Sequence, residues 1–263
     1  MHGRRGSELQ AQSLLLKSKK GTSWNRASPT EARTAYSATR NPEAKSYGPS
    51  ADAVVGIDLF AGAGGFSLGA KQAGIDIIGA VEYNKHAAAT YRLNIRRRNG
   101  AKVRLLEKDI LKLDPNEAMS EWELEPGRCD IILGGPPCQG FSTHRLRDSG
   151  VDDPRNALLA RYFDYVAAIR PRMFLVENVP GLLWQRHADY LDQFLDMAEA
   201  ADFEVIGPFV LNACDYGVPQ NRKRVFILGI DRTRRTPVVW PPEPTHVSPT
   251  TDPELRRNRP YWV

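Results

Sequence analysis

A chain of 263 residues with 41% hydrophobic side chains can bury a core of one or two domains and does not have the composition of a disordered protein. No apolar run approaches the roughly 18 residues of a membrane-spanning helix, and Leu14-Leu15-Leu16 is too short for a signal-peptide core, so a cytoplasmic location is the default expectation. The formal net charge is +5, but nine Lys/Arg against three acids fall in residues 1–50, and the remainder is close to neutral; overall charge is therefore poor evidence for nucleic-acid binding by the folded part.

Residues 1–50 are rich in Ser, Thr, Arg and Lys, lack sustained periodicity, and read as a flexible basic arm. From residue 54 apolar runs and amphipathic stretches alternate. The expected order is strand Val54–Phe60, helix Gly65–Ala73, strand Ile77–Glu82, helix Lys85–Arg98, strand Val103–Leu106 and strand Ile131–Leu133. Helix Asn156–Ile169, strand Met173–Val176, helix His187–Ala201 and strands Phe203–Val210 and Arg224–Ile230 follow. Such alternation predicts an α/β domain over residues 51–235, a Rossmann-like, mostly parallel sheet with helices on both faces. Beyond Ile230 the prolines at 237, 241, 242, 244, 249, 253 and 260 exclude a continuous helix or central strand, and residues 236–263 read as a Pro-rich linker toward a region not contained in this chain.

The turn Asp58-Leu59-Phe60-Ala61-Gly62-Ala63-Gly64-Gly65-Phe66-Ser67 joins the first strand to the first helix, and its glycines allow close backbone approach to a ligand. The pattern is G-x-G-G rather than G-x-G-x-x-G, so it suits S-adenosylmethionine, NAD, FAD or simple tight packing. Glu82 ends the second strand, where an acid binds ribose hydroxyls in nucleotide-binding βαβ units; Tyr83 beside it is placed to stack on adenine, and Asp109 to meet its amino group. Each also has an ordinary reading: a solvated strand-end acid, a core tyrosine and a helix cap.

Cys129, Cys138 and Cys214 are odd in number and form no C-x-x-C pair, which argues against a disulfide framework or a cysteine-rich zinc site; His144 and His187 have no metal-ligand spacing, and no metal is expected. Cys138 stands apart. It follows Gly134-Gly135-Pro136-Pro137 directly, at the carboxyl end of a buried strand, which is where ligands and catalytic groups gather in open α/β sheets. The stretch holds one thiol on a stiff turn.

Four segments together carry a resemblance. Asp58–Gly65, the string Gly135-Pro136-Pro137-Cys138-Gln139-Gly140-Phe141-Ser142, Glu177-Asn178-Val179, and Gln220-Asn221-Arg222-Lys223-Arg224 are similar, in this order, to the cofactor loop, nucleophile loop, E-N-V and Q-x-R-x-R elements of the DNA cytosine-5 methyltransferases. The resemblance covers about residues 54–245. It implies S-adenosylmethionine as cofactor, held by Asp58, Phe60, Ala61, Gly62, Gly64, Gly65, Glu82, Tyr83, Asp109, Ile110 and Pro136. It also implies methylation of cytosine C5 in double-stranded DNA after base flipping. Cys138 adds to C6, Glu177 holds the N3/N4 edge, Arg222 meets O2, Arg224 supports the loop, and Asn178 orders it. Ser142, Thr143, Arg145 and Arg147 would close over the base. Cys129 and Cys214 are expected to be structural.

The family pattern continues into a target-recognition region that residues 1–263 do not contain. An incomplete enzyme, split or truncated, is therefore expected, with a complementary chain as a possible partner. The competing readings are a non-catalytic relic that binds cofactor or DNA, a tRNA cytosine-5 methyltransferase, and an NAD-dependent oxidoreductase.

Overall fold

The structure, a computed structural model, describes residues 14–17, 24–27, 54–137, 154–235, 237–256 and 258–262. Within the segment expected to be a featureless arm, β1 (Leu14–Lys17) and β2 (Trp24–Ala27) pair antiparallel as a ribbon separate from the main sheet. Strands of four residues are too short to register as periodicity, which is why the reading missed them.

The main sheet has seven strands: β3 (Val55–Leu59), β4 (Asp76–Val81), β5 (Arg104–Leu106), β6 (Ile131–Gly134), β7 (Met173–Asn178), β8 (Phe203–Asn212) and β9 (Lys223–Asp231). Their spatial order is β5-β4-β3-β6-β7-β9-β8. All run parallel except β9, which is antiparallel to both β7 and β8. The mostly parallel α/β architecture expected from the alternation is therefore present. The strand order reverses between β3 and β6, and the carboxyl ends of these two strands are the position favoured for ligands in such sheets.

The helices are α1 (Gly65–Gln72), α2 (Lys85–Asn94), α3 (Pro115–Trp122), α4 (Pro154–Ile169), α5 (Ala188–Ala200) and the single turn α6 (Pro253–Arg256). Period-2 alternation along the strands sends neighbouring side chains to opposite faces. Ile131 and Leu133 join Ala70, Tyr91 and Ile95 under α1 and α2, whereas Ile132 joins Trp122, Leu159, Tyr162 and Phe194 under α3, α4 and α5. Phe163, Phe174 and Phe194 meet edge to face in this second layer, with ring centroids 5.2–5.9 Å apart, the arrangement aromatic quadrupoles prefer. No helix among the described residues is long and apolar enough to cross a membrane.

Three elements differ from expectation. Helix α2 stops at Asn94, short of the expected Arg98: buried Asp76 accepts from Arg97 Nη2 at 2.7 Å and from the Arg98 amide at 3.0 Å, and this pulls the chain out of helical geometry. Helix α3 is absent from the expected elements: eight residues are too few for a clear helical period, although Asp114-Pro115-Asn116-Glu117 carries a start signal. The Asp114 carboxylate caps the Asn116 and Glu117 amides. The Pro-rich segment expected as a linker packs back on the domain. Trp240 meets Phe226 edge to face, Tyr216 Oη donates to the Pro242 carbonyl, Val247 pairs with Tyr261, and Trp262 Nε1 donates to Asp215 Oδ1 at 3.1 Å.

Gly134, one residue past the expected strand Ile131–Leu133, is the last residue of β6. A Cβ there would lie 2.5 Å from Tyr162 Cε2, so its missing side chain is what lets this fully buried ring pack beneath the strand that leads to Cys138. Gly134→Ala is expected to cost about 1–3 kcal/mol by overpacking, read as a lowered midpoint of urea unfolding.

Candidate active site

The parallel register brings the ends of β3, β4, β5 and β6 level: Leu59 pairs with Val81 and with Gly134, and Val81 with Leu106. The residues that follow therefore come together at one end of the sheet. The turn after β3 contributes Phe60, Gly62 and Gly64, all at positive φ (58°, 57° and 97°). Gly64 has no tolerable substitute, because a Cβ would lie 2.4 Å from Ile95 Cγ1 at the end of α2.

Glu82 is fixed by two backbone donors, Gly62 N–H at 2.7 Å and Asn84 N–H at 2.6 Å. Its carboxylate thus stands at the lip of the glycine turn, an acceptor suited to a ribose diol. The alternative of a merely solvated strand-end acid does not describe it. Tyr83 is 75% exposed, so the core alternative is excluded and its ring is free to stack. Asp109 accepts from the Leu111 amide, which makes it a turn cap as well as a neighbour of buried Ile110. Ala61 is buried, its amide bonded to the Val81 carbonyl; Gly65 opens α1; Pro136 is buried at the opposite wall. Glycine backbone, paired acceptor and exposed ring fit a nucleoside cofactor such as S-adenosylmethionine.

Asp58 is placed differently from a ligand-contacting residue. It is 1% exposed, lies behind the turn, and accepts from Ser67 Oγ at 2.6 Å and from the Ser67 amide. Ser67 is in the first turn of α1, whose N-cap residue Gly64 has no side chain to offer, so Asp58 serves as that helix's acceptor from a distance. Tyr91 Oη of α2 shares the Ser67 hydroxyl at 2.7 Å. Burial pushes the Asp58 carboxyl up to about 7, against the opposing pull of its Ser67 hydrogen bonds. Sequence reasoning found Asp58 but missed Ser67 and Tyr91, which become visible only when α1 and α2 lie side by side.

A second group gathers around β7. Glu177 pairs in register with Phe226, and Arg224 Nε lies 2.9 Å from Glu177 Oε1. The other carboxylate oxygen overlies Gly135, 3.5 Å from where a Cβ would sit. Asn178 is buried, and its Nδ2 donates to the Pro136 carbonyl at 3.2 Å while its Oδ1 accepts from the Val179 amide. This matches the loop-ordering part expected of it. Glu177, Arg222 and Arg224 line one cleft of about 310 Å³ together with Leu211, Tyr216, Phe226 and Pro242. Extended backbone puts Arg222 and Arg224 on this side, as their spacing implied. Arg224 is the one joined to Glu177, and Arg222 stands exposed at the mouth.

Cys138 lies outside the described residues, as do Ser142, Thr143, Arg145 and Arg147; the structure describes the loop up to Pro137. The other two thiols are structural. Cys129 is buried with Sγ 3.3 Å from the Ile131 carbonyl, and burial pushes it up to about 12; Cys214 is the buried residue of the turn Ala213–Tyr216 that follows β8.

Residues 54–259 match the family model for C-5 cytosine-specific DNA methylase. The chain is 40% identical over 192 residues to Type II methyltransferase M.AgeI of Thalassovita gelatinovora, spanning 73% of this chain and 42% of that protein. It is 34% identical over 197 residues to Type II methyltransferase M.AquIA of Picosynechococcus, spanning 72% of this chain and 76% of that one. Among solved structures, a protein described as a prophage-encoded DNA modification methyltransferase of E. coli superposes with a TM-score of 0.58 at 33% identity, covering 68% of this chain and 47% of that one. The chain thus spans less than half the length of M.AgeI and three quarters of M.AquIA.

The raised Asp58 carboxyl has a consequence for stability. Because its folded value lies above the unfolded 3.8, its contribution is complete below about pH 4 and is lost as pH rises through about 7. Relative to Asp58→Asn, the protein is expected to lose up to about 4 kcal/mol of unfolding free energy between pH 4 and pH 8, measured by urea titration of both proteins at each pH.

Proposed function

The chain belongs to the C-5 cytosine-specific DNA methylase family, and from that premise we propose that it supplies the chemistry for moving a methyl group from S-adenosylmethionine to C5 of cytosine in double-stranded DNA. The observation that carries the reading is the Glu177–Arg224 pair, seated over Gly135 at the head of the Pro136-Pro137-Cys138 loop that Asn178 anchors.

Cytosine C5 is a poor nucleophile, and the proposed role of Cys138 is to change that. Its thiolate adds to C6, and the ring becomes enamine-like. The bound cofactor supplies an electrophilic methyl on a sulfonium centre. C5 takes the methyl, then loses its proton to solvent, and the C6–S bond breaks to return the thiol. Covalent catalysis of this kind divides one hard step into easier ones. Free cysteine is only a few per cent thiolate at neutral pH, so the cations at this end of the sheet, Arg222 and Arg224, favour the reactive form.

Glu177 faces the N3/N4 edge of the base and hydrogen-bonds it during attack. Arg224 holds that carboxylate in place and reaches the same base edge, while Arg222, free at the mouth, meets the base or its phosphate as it enters. The base must leave the duplex to reach Cys138, at an unstacking cost of a few kcal/mol. Because the matching family model is for a cytosine-specific DNA methylase and the named relatives are type II methyltransferases, duplex DNA is favoured over tRNA, with a cytoplasmic site of action. The chain's limited share of M.AgeI supports a further proposal, that selection of a particular site depends on a recognition region outside residues 1–263, in the same or a complementary chain.

The test is incorporation of labelled methyl groups into DNA and tRNA, with and without a complementing recognition region. Label is expected in DNA. Cys138→Ser should abolish transfer even in the complemented enzyme, and retained C5 transfer would rule out the covalent route. Glu177→Gln should lower kcat by about 10²–10⁴, and Arg224→Ala by about 10²–10³, with cofactor affinity changed little in either. Asn178→Ala should cost roughly 1–3 kcal/mol of stability by leaving the Pro136 carbonyl unsatisfied, measured by denaturant unfolding.

A further inference from the structure

Three aspartates are buried among the described residues: Asp58, Asp76 and Asp231. Asp76 faces Arg97 at 2.7 Å, and Asp231 faces Arg234 at 2.6 Å. Asp58, the most deeply buried, has no cationic partner among the described residues. Ser67 supplies a hydroxyl and an amide, Tyr91 stands behind that hydroxyl, and among the described residues the charge acting on it is the negative Glu82. A buried anion that protein cations leave uncompensated is costly, and here it sits two residues before a turn that fits a cofactor.

The chemistry of that cofactor supplies what is missing. S-adenosylmethionine carries a sulfonium, an ammonium and a carboxylate, one net positive charge. After methyl transfer the sulfonium becomes a neutral thioether, and the product, S-adenosylhomocysteine, has no net charge.

We propose that Asp58 is an electrostatic positioning residue: through Ser67 it fixes the first turn of α1 beneath the glycine turn, and its uncompensated charge favours the sulfonium cofactor over the thioether product. The inference rests on the reading that this site holds S-adenosylmethionine. Its geometry is the chain Tyr91 Oη, Ser67 Oγ, Asp58 Oδ2, with links of 2.7 and 2.6 Å, which joins α2, α1 and β3 under the turn.

The same arrangement makes the preference sensitive to protons. Burial pushes the Asp58 carboxyl up to about 7, so its charge is near balance at neutral pH. The titratable groups facing it are Glu82 from β4, Tyr91 from α2 and, across the sheet, Tyr162 from α4; burial raises both tyrosines further, so they stay neutral through this range. Linkage is reciprocal: a cation that binds better to the ionised form also holds Asp58 ionised. The cofactor therefore binds more tightly as pH rises toward 7.5, and the product does not.

The test is calorimetric titration of S-adenosylmethionine and S-adenosylhomocysteine into the full chain at pH 5.5, 6.5 and 7.5. S-adenosylmethionine affinity is expected to rise at least about fivefold across this range, and S-adenosylhomocysteine affinity to stay nearly constant. In Asp58→Asn the rise should vanish and the preference for the cofactor over the product should shrink by a similar factor. Tyr91→Phe keeps the core ring but removes the donor behind Ser67, which weakens support for the ionised carboxylate, and should move the rise to higher pH. Equal pH profiles for the two ligands, or profiles that neither substitution alters, overturn the proposal. If Asp58→Asn does not fold, an unshifted profile in Tyr91→Phe overturns it alone. Absence of binding by either ligand at every pH overturns the cofactor reading itself, and this inference with it.

Discussion

Strand β9 runs against the rest of the sheet, and the base-side half of the site depends on that reversal. In a parallel sheet every strand delivers its carboxyl end to the ligand crevice and hides its amino end on the far side. β9 delivers the opposite end. Its register with β7, Glu177 to Phe226 and Asn178 to Val225, brings the first residues of the strand to the last residues of β7. Arg224 can meet Glu177 only because of this pairing. The turn Ala213–Tyr216, the arginine at 222 and the folded-back Pro242 then follow as walls of the same cleft.

The cofactor half is organised by a different constraint, the need to satisfy backbone amides in a turn where φ is positive at Phe60, Gly62 and Gly64. Glu82 takes up one of those amides and Asp58 reaches an amide in α1. Two carboxylates thus support one turn, one at the lip and one buried, with no cation paired to either among the described residues. Their mutual repulsion adds to the burial that raises Asp58. The cost in stability is tolerated where a positively charged ligand belongs, in keeping with the general association of perturbed carboxylates with functional sites.

Much of this was legible in the sequence. Alternating apolar runs located all seven main strands, because strands buried in a parallel sheet are near-continuous apolar stretches. Glu82, Tyr83, Glu177, Arg222 and Arg224 could be placed because each sits at a strand end, where position along the chain maps directly onto position in the site. What escaped depends on contacts between distant segments. The early end of α2 is dictated by Asp76, some twenty residues upstream. The need for glycine at 134 is set by the ring of Tyr162, which lies far along the chain. Asp58 looked like a ligand contact because nothing local announces that Ser67 and Tyr91 enclose it. The proline-rich end looked detached because its anchors, Asp215, Tyr216 and Phe226, belong to another segment.

The pairing of β9 with β7 and β8 also sets which changes of length the protein can survive. Side chains along a strand alternate with a period of two, so one residue inserted between Arg224 and Phe226 would turn Arg224 away from Glu177 or, if Arg224 keeps its place, turn out the core positions further along. A single insertion there damages either site or core. The turn between Tyr216 and Gln220, by contrast, is bounded by paired segments and can change length without shifting either register. Divergence in this part of the chain is therefore expected to be discrete, with residue exchange inside the strand and length variation confined to the turn before it.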